Sequence, residues 1–214
     1  MANEESTPAT SRLALAVVML AGFTDGVSYL QFKKVYVSFM SGNTTALGVA
    51  VARGHWPEVQ LLAPVLGLFV AGVVLGSWLR RAGSRRPAAL VLAVVAGLLA
   101  AAAAGPLALG LLALGMGVLN AAVHQAGRTA LSLTYVTGTL VKVGTGLADR
   151  LSGQPWPAGW GRQALDWLCL ATGAGAGTLA WQALGLRALL VAAAGAALLA
   201  LAARQLREET SADV

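Results

Sequence analysis

The sequence predicts an all-α polytopic membrane protein: six transmembrane helices plus two re-entrant or broken helices, arranged as two inverted structural repeats. Three observations carry this. The 214 residues are 57% hydrophobic and 11% charged, with a mean hydropathy of +0.70. Several charge-free windows are long enough to cross a bilayer, and landmarks of the first half return in the same order in the second.

Soluble domains carry about 25% charged residues. At less than half that share the chain cannot clothe an ordinary water-facing surface, which excludes a cytosolic enzyme and a disordered chain. The formal charge of +6 and pI near 10.3 do not point to nucleic acid, because membrane proteins collect Lys and Arg in cytoplasmic loops. Cys169 is alone, so no intrachain disulfide forms, and its apolar setting suits a small packing residue. One cysteine and the distant His55 and His124 make no metal site, and no cofactor is expected. No nucleophile stands beside a base, so no enzymatic activity is expected either.

Residues 1–12 form a polar, partly acidic tail, unlike the basic start of a cleaved secretory signal. A single transmembrane domain is expected over 13–203, and 204–214 form a polar C-terminal tail. The first span covers about 13–30 and is interrupted by Asp25. The window from Pro87 to Gly127 holds 41 residues without a charge, about twice what one crossing needs. Gly105-Pro106 divides it into spans near 88–104 and 107–127. Further charge-free windows are 59–79, 167–186 and 188–203. Two apolar stretches, 35–52 and 129–148, carry polar, glycine-centred breaks in their middles.

The first half contains AGFTDGVSYL and then SFMSGNTT; the second contains MGVLNAAVHQ and then LTYVTGTL. Asp25 falls opposite Asn120, 95 residues on, and Gly42 opposite Gly138, 96 residues on. Trp56-Pro57 is answered by Trp156-Pro157. This gives repeat 1 at about 13–104 and repeat 2 at about 107–203. If both broken stretches span, the repeats are parallel and the cations divide eight against six. If both re-enter, the repeats are inverted and the division is ten against four, with Lys142 set aside. Charge asymmetry across the bilayer favours the inverted arrangement.

Irregular backbone at membrane depth requires a protein or water lining. Ser41, Gly42, Asn43 and Thr44 in one half, and Thr137, Gly138 and Thr139 in the other, are the expected breaks. Gly42 is expected to take backbone angles closed to other residues, and Ser41, Asn43 or Thr44 to cap the following helix. Breaks near the midplane would let two helix N-termini converge on a polar solute. The competing reading is that these hydroxyls only bond back to helix carbonyls. Asp25 is a costly acid within a span and a candidate for solute binding or a coupling proton. Its competing readings are a place near the membrane surface, or neutralisation by the nearby Thr24 and Ser28. Asn120 is its non-ionisable counterpart, and His124, one turn further on, is a candidate proton relay or a packing residue. Gly22 with Gly26, and Gly173 with Gly177, are small-residue patterns that allow close helix approach and leave room for a homo-oligomer.

AGFTDGVSYL, VSFMSGNTT, GVLNAAVHQAGR and LTYVTGTLVKVGTGLA together resemble the YoaK-like family of bacterial integral membrane proteins, over about 13–203. The resemblance implies a multi-pass protein of the bacterial inner membrane and carries over no binding or catalytic residue. The residues themselves lead to a transporter or channel for a small polar solute, with Asp25 for proton coupling. The alternative is a non-transporting protein acting in assembly or sensing through glycine-rich faces.

Overall fold

The computed structural model describes residues 8–81, 87–125 and 136–212, with side chains over 11–81, 87–121 and 136–205. Every regular element among these is helical: α1 (Pro8–Gln31), α2 (Met40–Ala52), α3 (Trp56–Arg81), α4 (Pro87–Ala102), α5 (Ala108–Gln125), α6 (Val136–Leu151), α7 (Trp160–Leu184), a 3-10 turn at Gly185–Arg187, and α8 (Ala188–Ala212). The stretches Ser11–Gln31, Trp56–Arg81 and Trp160–Gln205 are long and apolar enough to cross a membrane; Pro87–Ala102 and Ala108–Ala121 are shorter apolar helices. The expected Gly105-Pro106 hairpin joins α4 to α5, and Gly105 takes a positive φ of 129° there.

Two glycine seams set the helix arrangement. On α1 and α7, a Cβ on Gly22 would run into the carbonyl of Leu170, and one on Gly26 into that of Ala174. In return, Gly173 meets the carbonyl of Met19, and Gly177 that of Phe23. The contacts advance together along both chains, so α1 and α7 are parallel. On α3 and α5, Gly72 lies against the carbonyl of Leu114, Gly76 against that of Val118, and Gly117 against that of Phe69. Those helices are parallel too. Only hydrogen fits at such distances, and without water the gain is dispersion between closely apposed backbones.

The two pairs run in opposite directions. Thr24 of α1 donates to the Met116 sulfur of α5 at 3.4 Å, while Phe32, beyond the end of α1, shares a cluster with Leu109 at the start of α5. Numbers rise along α1 as they fall along α5. Hence α1 opposes α5, and α3, parallel to α5, also opposes α1.

The core lies between the pairs. Val91, Leu92, Val95 and Leu99 of α4 are buried, as are Leu112, Met116 and Leu119 of α5. On α8, Ala188, Ala192, Ala196 and Ala200 bury a four-residue alanine stripe that lets α4 approach. Large apolar side chains such as Val70, Val74 and Trp78 face outward. Cys169 packs beside the main core cluster, as its apolar setting suggested.

Candidate functional site

The chain between α1 and α3 folds back on itself. After Gln31 it descends along α1: the Ser28 hydroxyl donates to the Val35 carbonyl at 2.9 Å, and further down Asp25 receives the backbone N–H groups of Val37 and Ser38, both at 2.8 Å. The Ser38 hydroxyl donates to the second Asp25 oxygen. The chain then turns and rises as α2, which packs on α3. Asn43 joins the two limbs, accepting from the Tyr36 N–H at 3.1 Å and donating to the Tyr36 carbonyl at 2.6 Å. These polar groups are enclosed: Asn43 is 2% exposed and Asp25 9%. A buried polar group left unpaired costs about 1–3 kcal/mol, so this bonding makes the descent tolerable inside an apolar bundle.

The geometry redistributes the roles expected of these residues. Ser41, Gly42, Asn43 and Thr44 do not interrupt a helix; they occupy the first turns of α2. Its N-cap is Phe39, which supplies no side-chain bond, so none of Ser41, Asn43 or Thr44 is the cap. Gly42 is helical, and what its missing side chain provides is space: a Cβ would stand 2.8 Å from two Phe39 ring carbons. The left-handed angles fall instead on Lys33 and Lys34, with φ of 54° and 72°. Thr44 donates to the Met40 carbonyl at 2.8 Å and Thr45 to that of Ser41 at 3.1 Å, the back-bonding alternative. Thr24 and Ser28 do not hold Asp25; Thr24 bonds the carbonyls of Leu20 and Ala21, and Ser28 that of Val35.

Thr137, Gly138 and Thr139 sit in the first turn of α6, and the part of the 129–148 stretch before Val136 lies outside the described residues. Helix α6 packs on α7, where the Trp160 indole donates to the Val143 carbonyl at 2.9 Å and covers Gly146. Among the described residues α2 and α6 do not touch, so Ser41–Thr44 and Thr137–Thr139 are not brought together. The first tip meets α1 at Asp25, partway along that helix. Asp25 lies six residues before the end of α1, about 9 Å at ~1.5 Å per residue, roughly a third of the span Ser11–Gln31. Asn120 donates to the Met116 carbonyl at 2.9 Å. The His124 side chain lies outside the described residues.

Above the tip, between the descending limb, α2 and the start of α3, opens a cleft of about 610 Å³. Tyr29, Lys33, Lys34, Tyr36, His55 and Glu58 line it, and so do Gly42 and Asn43. The Tyr29 and Tyr36 rings meet at 5.2 Å between centroids, and His55 Nδ1 lies 3.1 Å from Glu58 Oε2. Buried Val35 and Leu62 form its apolar floor. Motif reading passed over Tyr29, Lys33 and Lys34 because they sit at a helix end that looks like an ordinary interfacial boundary. Among the described residues no three side chains of His, Cys, Asp and Glu cluster as metal ligands.

An all-helical bundle whose outer surface is apolar, with polar groups folded inward, defines a helical membrane protein. The comparisons place it more narrowly. Residues 13–202 match the family model described as "Protein of unknown function (DUF1275)", and the chain belongs to that family. It is 37% identical over 207 residues to "UPF0700 transmembrane protein RA0705" of Rhizobium meliloti (strain 1021), covering 91% of this chain and 86% of the relative. No solved structure matches it.

Proposed function

We propose that the chain is a multi-pass bacterial inner-membrane transporter or channel for a small polar solute, built from two inverted halves. In this reading α1, α3, α4, α5, α7 and α8 cross the bilayer, while α2 and α6 enter and leave on one face each. Opposed α1 and α3 support this, since the chain joining them must return to the face it left. The same holds for α5 and α7. The duplication draws support from the seams: Gly22 and Gly117 stand 95 residues apart, and Gly72 with Gly76 stand 101 residues before Gly173 with Gly177. Exchanging the halves also exchanges the α1–α7 contact with α5–α3 and the α2–α3 contact with α6–α7. Opposed repeats with half-helices are a recurrent transporter design.

The observation that carries the reading is the polar-walled cleft beside a half-helix whose tip is anchored inside the bundle. Asp25 is the titratable group at that tip and the candidate for proton coupling. Purified protein in liposomes should move a small polar solute, and Asp25→Asn should remove the pH dependence of that flux. No flux across a panel of anions, neutral solutes and protons rejects transport. In a Cys169→Ser background, cysteines at Lys33 and Arg53 should react with an impermeant thiol reagent from one face; reaction from opposite faces rejects the half-helix.

A second reading is a non-transporting membrane protein acting in assembly or sensing. It draws on the complete internal bonding of Asp25 and Asn43, which suits a purely structural tip.

A further inference from the structure

The cleft above the first half-helix has a chemistry more specific than "polar". Two consecutive lysines, Lys33 and Lys34, stand on its rim. Both are held in the left-handed region that non-glycine residues seldom occupy, and such conformations persist where surrounding structure imposes them. The imposition is visible: the Lys34 N–H is tied to the Tyr29 carbonyl at 2.9 Å, and the next residue, Val35, is buried and bonded to Ser28. Facing them is one acid, Glu58, already engaged by His55. Two lysines against one carboxylate leave the rim with a net positive charge. Below it the wall turns aromatic, with Tyr29 and Tyr36 in ring contact, and the floor is aliphatic through Val35 and Leu62. At about 610 Å³ the cleft falls within the range of small-molecule sites.

We propose that this cleft binds a small organic anion, its carboxylate or comparable charged group at Lys33 and Lys34 and a flat apolar body against Tyr29 and Tyr36. The proposal rests on the transport reading above and supplies its substrate class. An ammonium compound would meet two like charges at the rim. A bare inorganic anion would leave the aromatic wall unused, so benzoate should bind more tightly than acetate or phosphate, and choline should not bind.

The test is titration calorimetry on the purified full-length chain in detergent, with benzoate, acetate, phosphate and choline as probes. The decisive variant is Lys33→Asn/Lys34→Asn, because asparagine accepts left-handed angles and removes only charge and length. Saturable benzoate binding should weaken by about tenfold in that variant, the scale of one or two partly exposed charge contacts. Lys33→Arg/Lys34→Arg should restore it, which a merely structural role for the turn would not require. Benzoate binding unchanged in the asparagine variant, choline binding as tightly as benzoate, or no saturable anion binding at millimolar concentration overturns the proposal. Failure of the transport reading looks different: benzoate then binds in the lysine-dependent way but does not cross liposomes. Conversely, flux of a neutral solute without anion binding leaves transport standing and removes the anion site.

Discussion

Among the described residues, different groups hold the two short helices α2 and α6 in place. The segment leading into α2 is secured by the helix before it and by α2 itself: Asp25 of α1 takes the N–H groups of Val37 and Ser38, and Asn43 binds both the N–H and the carbonyl of Tyr36. Helix α6 is secured by the helix that follows, through the Trp160 indole on the Val143 carbonyl and over Gly146. One anchor is a buried carboxylate and amide; the other is an aromatic ring in tilted contact with a second one, Trp156, at 4.2 Å between centroids. In each case a side chain from another part of the bundle, or from the helix itself, bonds to backbone and fixes the segment against its neighbour.

Breaking the first anchor should have the largest effect. Asp25→Ala leaves two buried N–H groups and a hydroxyl without their acceptor, at about 1–3 kcal/mol for each unsatisfied group. Amide exchange over 35–52 should accelerate strongly while that over 136–151 stays as in the parent chain. Equal acceleration in both segments would show that the anchors are not separate. Asp25→Asn should be much milder, since an amide oxygen still accepts the two N–H bonds.

The seams are next. Gly22→Leu or Gly72→Leu drives a side chain into a carbonyl of the partner helix, an overpacking cost of about 1–3 kcal/mol. Both should lower the thermal unfolding midpoint in detergent, and by similar amounts if the seams are equivalent. A large loss from one and none from the other would argue that the halves differ in more than their anchors.

Smaller effects should sort the half-helices themselves. Asn43→Ala removes the clasp on Tyr36 and should loosen α2 by about 1–2 kcal/mol in local exchange. Trp160→Phe keeps the ring but removes the hydrogen bond to Val143, at roughly 0.5–1.5 kcal/mol, and should loosen α6 alone. If Trp160→Phe instead accelerates exchange in α2, the two flanks are coupled through the bundle.

Much of this architecture could be read before any coordinates. Alternation of charge-free windows with short charged links marked the long helices, though α1 and α7 begin earlier and α8 ends later than the windows, because polar ends extend a helix beyond its apolar stretch. Asp25 stood out for a related reason: an acid in an apolar run must have a partner. Its actual partners, the backbone of Val37 and Ser38, were invisible because a main-chain N–H carries no residue signature. Gly22, Gly26, Gly173 and Gly177 were visible as patterns, whereas Gly72, Gly76 and Gly117 drew no notice among 26 glycines.

Composition and patterning determined that this chain is a helical membrane protein with two unusual polar stretches, 35–52 and 129–148. These follow from local rules, since hydropathy and chain length act on each segment separately. Only the tertiary structure decided that α1 runs beside α7, that Asp25 clamps the turn below α2, and that Lys33 and Lys34 share a rim with two tyrosines. Those depend on which surfaces meet, and in lipid, where apolar faces are nearly interchangeable, that is settled by shape and a few buried polar bonds.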